Sequence, residues 1–250
     1  MCVHPARIAL VAPQFGKNMA MKIAVADDER ELLDQFAGIM NAAGHQVSTF
    51  NNGRDLINAM QRDTFDVILA DWNMPGRTGL EVLHWAGDNL NPLTPFIMIT
   101  SRQDANDIVR ALEAGAVDYI VKPENDRVIL ARVEAAGRRN TASRAEPKAT
   151  FGKYELDRQN KTIFLEGREI ATTSKEFDLV DLFFQNRDRP MSRSYLLSKV
   201  WGANEGLETR TIDVHVSRLR AKLDLNPENG FVIRTVFGFG YRMDEVVEIE

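Results

Sequence analysis

From Met21 onward, short apolar runs alternate five times with segments of helical period, and nothing else in the sequence constrains the fold as strongly. The runs fall at 22–26, 46–50, 67–70, 96–100 and 119–121. After each comes a stretch, near 29–43, 54–62, 80–88, 104–114 and 126–139, whose apolar residues recur at helical spacing. Gly44 and Gly115 close the first and fourth of these stretches, as glycine does where a helix ends in a left-handed turn. A strand followed by a helix before the next strand returns in the same direction, so five such units predict one parallel sheet with helices on both faces.

The pattern changes after residue 139. Residues 140–149 are small, polar and aperiodic, and are read as a linker. Short alternating strands then occupy 151–170. Helices follow near 174–185, 193–201 and 209–223, and strands at 232–235 and 240–243 flank a glycine-rich turn. This α+β pattern predicts a second domain at 150–244 behind a first at 21–139, a natural division of 250 residues. Residues 1–20 carry no comparable pattern and are read as an extension or a misassigned start, with Met19 or Met21 as the true one.

Charge is divided unevenly. Residues 21–139 hold 12 basic and 18 acidic side chains, and residues 150–243 hold 15 basic and 13 acidic. An acidic front and a mildly basic back suit a regulatory half joined to one that binds a polyanion. The single cysteine, Cys2, excludes a disulfide framework and a thiolate metal site, and suits a reducing cytoplasm. No apolar run reaches the roughly 18 residues of a membrane span, so no membrane association is expected.

In an open parallel sheet, chemistry gathers beyond the carboxyl ends of the strands. Four of the five strands end in reactive residues: Asp27 and Asp28 after the first, Asp71 after the third, Thr100 on the fourth, and Lys122-Pro123 after the fifth. Clustered carboxylates repel one another unless a hard cation sits among them, and Mg²⁺ prefers oxygen ligands, so a metal is expected. A lone Asp after a strand is ordinarily a turn or cap, but this many reactive residues at one sheet edge make a joint site.

The Asp-Asp pair, the turn Asp71-Trp72-Asn73-Met74-Pro75, the Thr and the Lys-Pro resemble, in order and spacing, the receiver domains of two-component response regulators, over residues 21–139. The resemblance implies a CheY-like (flavodoxin-like) five-stranded receiver in which Asp71 accepts phosphate from a histidine kinase. It further implies that Asp28 and the backbone carbonyl of Asn73 ligate Mg²⁺ with Asp71, and that Asp27 assists through water. Lys122 would pair with a phosphoryl oxygen, Thr100 would move in to bond another, and Tyr119 would swing inward as the switch is thrown. The Lys122–Pro123 bond is expected to be cis, and Asn73 and Arg102 to border the attacking water's path. One departure is Glu124, which stands where such regulators commonly have Phe. The rival from another class is a phosphohydrolase using an aspartyl phosphate. Such enzymes place a second carboxylate two residues after the nucleophile, and Asn73 leaves that reading without its general acid.

In the second half, Ile212, Val216, Leu219 and Leu223 form one apolar stripe of a helix. The opposite face presents Arg210, Val214, Ser217 and Arg218, a slim surface suited to a major groove, since Arg can grip guanine and Val can touch a thymine methyl. Thr211, His215 and Lys222 flank that face, where phosphate contacts are expected. The segments 173–177, 200–202, 210–220 and 235–241 resemble the winged-helix output domain of the OmpR/PhoB subfamily, in which Thr235 would hold a phosphate. Some relatives carry a minor-groove Arg at the position of Phe237, so shape or stacking contacts are expected there.

This resemblance implies a cytoplasmic, phosphorylation-controlled, non-enzymatic transcription regulator. Its expected partners are a sensor histidine kinase, double-stranded DNA, RNA polymerase and, when phosphorylated, a second copy of itself. Such receivers commonly pair through the fourth helix, fifth strand and fifth helix. There Ile108 and Val128 replace one commonly charged pair, while Asp118 and Arg132 keep another.

Overall fold

A computed structural model describes residues 20–90, 94–139, 146–202 and 208–246. The expected extension, apart from Ala20, and positions 140–145 of the expected linker lie outside the described residues.

The first unit is built from β1 (Lys22–Ala26), α1 (Arg30–Ala42), β2 (Gln46–Phe50), α2 (Gly53–Met60), β3 (Val67–Ala70), α3 (Gly79–Asn89), β4 (Phe96–Thr100), α4 (Ala105–Glu113), β5 (Asp118–Val121) and α5 (Asp126–Arg139). The strands pair in parallel in the order β2-β1-β3-β4-β5. Alternate side chains leave a strand on opposite faces, and β1 divides accordingly. Ile23 and Val25 join Phe36, Met40 and Val133 from α1 and α5, while Ala24 and Ala26 join Leu56, Met60 and Val82 from α2 and α3. Burial on both faces accounts for strands that are continuously apolar rather than alternating. Gly44 and Gly115 end α1 and α4 at φ +87° and +105°, where a β-carbon would be strained.

The second unit opens with the antiparallel sheet β6 (Lys148–Phe151), β7 (Tyr154–Asp157), β8 (Thr162–Leu165) and β9 (Arg168–Ile170). The helices α6 (Ser174–Gln185), α7 (Arg193–Trp201) and α8 (Arg210–Lys222) follow, and β10 (Met191–Ser192) pairs with β12 (Gly240–Glu245), which pairs with β11 (Phe231–Val236). The first strand thus begins two residues inside the expected linker, and β10 has no counterpart among the expected elements. Two residues carry no period. Only their partner makes them a strand, and the approach needs Gly240, where a β-carbon would stand 2.0 Å from the Met191 carbonyl oxygen.

An aromatic core of Tyr154, Phe183, Phe184, Phe231 and Tyr195 joins sheet and helices. The Tyr154 hydroxyl donates to the Leu223 carbonyl at 2.9 Å, tying the first sheet to the end of α8, and burial pushes this phenol up to about 12. The Thr173 hydroxyl accepts from the Glu176 amide while the Glu176 carboxylate accepts from the Thr173 amide, a capping box that starts α6. Among the described residues, no helix is long and apolar enough to cross a membrane.

Candidate functional site

The carboxyl ends of β1, β3, β4 and β5 bring Asp27, Asp71, Thr100 and Lys122 to one edge. Asp27 is positioned by its backbone amide, which donates a hydrogen bond to the Phe50 carbonyl at 3.0 Å, and Asp71 by its own, which donates to the Ala26 carbonyl at 2.8 Å. Asp27, Asp71 and Thr100 are buried, whereas Asp28 and Asn73 are exposed. The Lys122 ammonium lies 2.5 Å from one Asp27 carboxylate oxygen and 3.1 Å from one of Asp71. The second Asp71 oxygen accepts from the Asn73 amide at 2.5 Å.

Desolvation is the largest influence on Asp71 and lifts its carboxyl above the ordinary value, against the pull of Lys122 and the Asn73 amide. Desolvation also disfavours the Lys122 charge, but the two carboxylates outweigh it and hold the ammonium above its ordinary range. The site is therefore a buried carboxylate with a fixed cation beside it. Among the described residues, no three histidine, cysteine or carboxylate groups converge into a ready-made ion cage.

Around this edge the Arg102 guanidinium lies 5.2 Å from the Trp72 ring centre, and its Nε donates to the Asn73 side-chain oxygen at 3.3 Å. The Tyr119 hydroxyl donates to the Arg102 carbonyl at 3.1 Å, and the Thr100 hydroxyl accepts from the Arg102 amide at 3.4 Å. The Lys122–Pro123 bond is cis. Glu124 accepts from the Asn125 amide at 2.7 Å. Gly79 was not singled out in the sequence, yet it permits α3 to begin against the Asp71 carbonyl, 2.1 Å from where a β-carbon would be. A glycine at the start of a predicted helix was the only signal available.

In the second unit, Ile212, Val216, Leu219 and Leu223 are fully buried, while Arg210, Val214, Ser217 and Arg218 are exposed on the other face of α8. Thr235 and Phe237 are exposed on the hairpin of β11 and β12. The flanking residues differ from one another. Lys222 is held by buried Glu176 at 2.8 Å, and His215 packs edge-on against Trp201 while its Nδ1 bonds the Thr211 carbonyl at 2.9 Å. Three residues outside the expected set lock α7, α8 and the hairpin together. Asp213 accepts from Arg193 Nε at 2.8 Å and from the Tyr241 hydroxyl at 2.6 Å.

On the outer face of α4 and α5, Val109, Leu112 and Val128 are exposed, and Ile108 is half-buried. Asp118 and Arg132 pair with each other within the single chain, at 2.8 Å.

A five-stranded parallel receiver carrying an acid–lysine edge, followed by a winged helix, is the architecture of a two-component response regulator. Residues 23–134 match the response regulator receiver domain, and residues 167–243 match the C-terminal domain of transcriptional regulatory proteins. The DNA-binding response regulator MtrA of Mycolicibacterium smegmatis is 33% identical over 90% of this chain and 97% of its own length. The sensory transduction protein RegX3 of the same species is 31% identical over 89% and 98%. The solved structure of DrrB, an OmpR/PhoB homolog from Thermotoga maritima, is 29% identical over 90% of this chain and all of its own, with a TM-score of 0.44. The chain belongs to the OmpR/PhoB family of DNA-binding response regulators. This is a family of transcription factors whose receivers use Mg²⁺ in phosphorylation and whose two domains imply a histidine kinase and DNA as partners.

Proposed function

We propose that Asp71 is the phosphoacceptor of this regulator, and that phosphorylation there controls DNA binding by α8 and the β11–β12 wing in the cytoplasm. The observation that carries this reading is the Asp71 carboxylate at the end of β3, desolvated and 3.1 Å from the Lys122 ammonium. An Asp71 oxygen attacks the phosphorus of a phosphohistidine, and the P–N bond breaks with its electron pair leaving on the imidazole. Lys122, already seated between Asp27 and Asp71, offsets the added negative charge. Thr100 then moves to bond a phosphoryl oxygen, Tyr119 swings inward as the switch is thrown, and Pro123 shapes the loop that carries Lys122.

The exposed Asp28 and Asn73 beside buried Asp27 and Asp71 form an all-oxygen donor set of the kind Mg²⁺ takes. Asp71, Asp28 and the Asn73 carbonyl would hold the ion, with Asp27 acting through water, and the ion when bound supplies further charge neutralisation.

On DNA, Arg210, Val214, Ser217 and Arg218 face the bases. Thr211, Thr235 and Phe237 meet the backbone or minor groove, with His215 and Lys222 set further back at its margin. Activated receivers pair through Ile108, Val128, Asp118 and Arg132, and the DNA-bound dimer recruits RNA polymerase. Incubation with acetyl phosphate and Mg²⁺ followed by intact-mass measurement tests the central claim. One phosphoryl group is expected on the wild-type chain and none on Asp71→Asn; undiminished phosphate on the variant overturns it.

A further inference from the structure

Residues 235–241 read Thr-Val-Phe-Gly-Phe-Gly-Tyr and hold no charged side chain. They form the tip of the β11–β12 hairpin, where the Phe239 amide donates to the Val236 carbonyl at 3.0 Å and Gly238 takes φ +70°, a left-handed conformation that closes so short a turn. Phe237 is carried outermost. Its side chain is 100% exposed, whereas Val109, the next most exposed large apolar group among the described residues, is 50% exposed. Phe237 shares the rim of a cavity of about 350 Å³ with Trp85 and Leu90, yet none of its ring is covered there. The nearest cations on the hairpin, Arg234 and Arg242, both pair with Asp244.

The tip is held at a fixed place beside α8. Arg220 donates to the Ile233 carbonyl from two of its nitrogens, at 2.9 and 2.7 Å, and to the Thr235 hydroxyl at 3.2 Å. Asp213, seven residues earlier on α8, accepts from the Tyr241 hydroxyl at 2.6 Å. Seven residues are close to two helical turns, so both grips lie on one flank of the helix. That flank adjoins the exposed face of Arg210, Val214 and Ser217. A helix seated in the major groove therefore brings the hairpin tip to the minor groove beside it. A phenyl presented there has no charge with which to displace counterions and no donor with which to read a base edge. What it can do is enter between two base pairs, as apolar side chains do from the minor-groove side.

We propose that Phe237 is a minor-groove wedge that partly unstacks one base step beside the α8 site, so that this regulator selects its operator in part by how readily that step kinks. The proposal rests on the reading of α8 and the wing as the DNA-binding surface, and names what the wing reads. Pyrimidine–purine steps such as TA and CA unstack readily, whereas A-tracts are stiff. A flexible step is therefore expected where the wing meets the operator, and the bound duplex bends toward the major groove. A wing arginine would select the reverse, since the narrow groove of an A-tract concentrates the negative potential that draws a guanidinium. Phe237 thereby sets both which step the wing accepts and how little that contact depends on salt.

The test uses the full-length chain loaded with beryllofluoride and Mg²⁺, on an operator selected from random DNA and labelled at both ends for energy transfer. Wild type should shorten the end-to-end distance, and replacing the flexible step in the minor groove flanking the α8 site by AA should weaken binding about 10-fold. Phe237→Ala should lose the bend, the step preference and about 10-fold in affinity, whereas Phe237→Leu, still an apolar wedge, should keep the bend and the preference. Phe237→Arg should recover affinity at low salt, become more salt-sensitive and prefer the AA operator. Because Phe237 is wholly exposed, these variants leave the core intact, and their thermal melts should match wild type. An unchanged bend and step preference in Phe237→Ala overturn the proposal. If Arg218→Ala leaves operator binding unchanged, the DNA-surface reading itself falls and takes the wedge with it. If Arg218→Ala weakens binding while Phe237→Ala changes neither bend nor preference, only the wedge falls.

Discussion

At the scale of single residues, Arg218 and Lys222 show how similar cations on one helix divide their duties. Arg218 is exposed on the outward face of α8 beside Val214, where a planar guanidinium can make two parallel bonds to guanine. Lys222 is drawn back against buried Glu176, which uses its charge inside the domain. Arg218→Ala should therefore cost about 1–3 kcal/mol on the preferred sequence and much less on random DNA, measured by competition binding. Equal losses on both would make Arg218 a phosphate contact.

At the scale of elements, the start of α6 and the end of α8 are joined by that same Glu176, which serves both the capping box and the ion pair. Its burial disfavours the charge, but Lys222 and the Thr173 amide win, so its carboxyl lies below the ordinary 4.5. A depressed carboxyl contributes stability that is fully present above its unfolded value and is lost as pH falls through the lower folded one. Glu176→Gln keeps an acceptor for the cap but loses the charge, and should lower stability by about 1.5 kcal/mol at neutral pH. Thermal melts at falling pH should show the gap between variant and wild type closing below about pH 4.5. A gap that stays constant into acid would mean that packing, not charge, is what the substitution removes.

At the scale of the whole molecule, the α2–β3 turn, where Asp63 holds the start of α7, and the α4–α5 face lie on different parts of the receiver. Val109, Leu112 and Val128 stay exposed on that face while the output domain is held elsewhere. Burying apolar surface yields about 25 cal/mol per Å² with little dependence on salt, whereas an exposed ion pair contributes about 0–1 kcal/mol and is screened. Asp118 and Arg132 are already satisfied within one chain, so exchanging partners across a dimer would add little. Activated receivers should therefore sediment as dimers at both low and high salt, and Ile108→Arg should dissociate them. Strong dissociation by salt alone would return the interface to its charged pairs.

What the sequence determined by itself was everything written in short-range periods. The five βα units, the three output helices, the capping box at Thr173 and the reactive residues at the strand ends were all legible, because side-chain alternation, helical spacing and turn chemistry act over a few neighbours. The order of carboxylates, hydroxyl and lysine along the chain was enough to place Asp27, Asp71, Thr100 and Lys122 at one edge. Only the tertiary structure decided which groups meet across long separations. That Lys122 sits between Asp27 and Asp71, that Lys222 turns to Glu176, that Met191 and Ser192 form a strand, and that Asp63 and Asp66 grip α7 are all contacts between distant segments. A polar turn such as 63–66 reads locally as a solvated loop, and its partner is chosen by the shape and charge of a surface that exists only once both domains have folded.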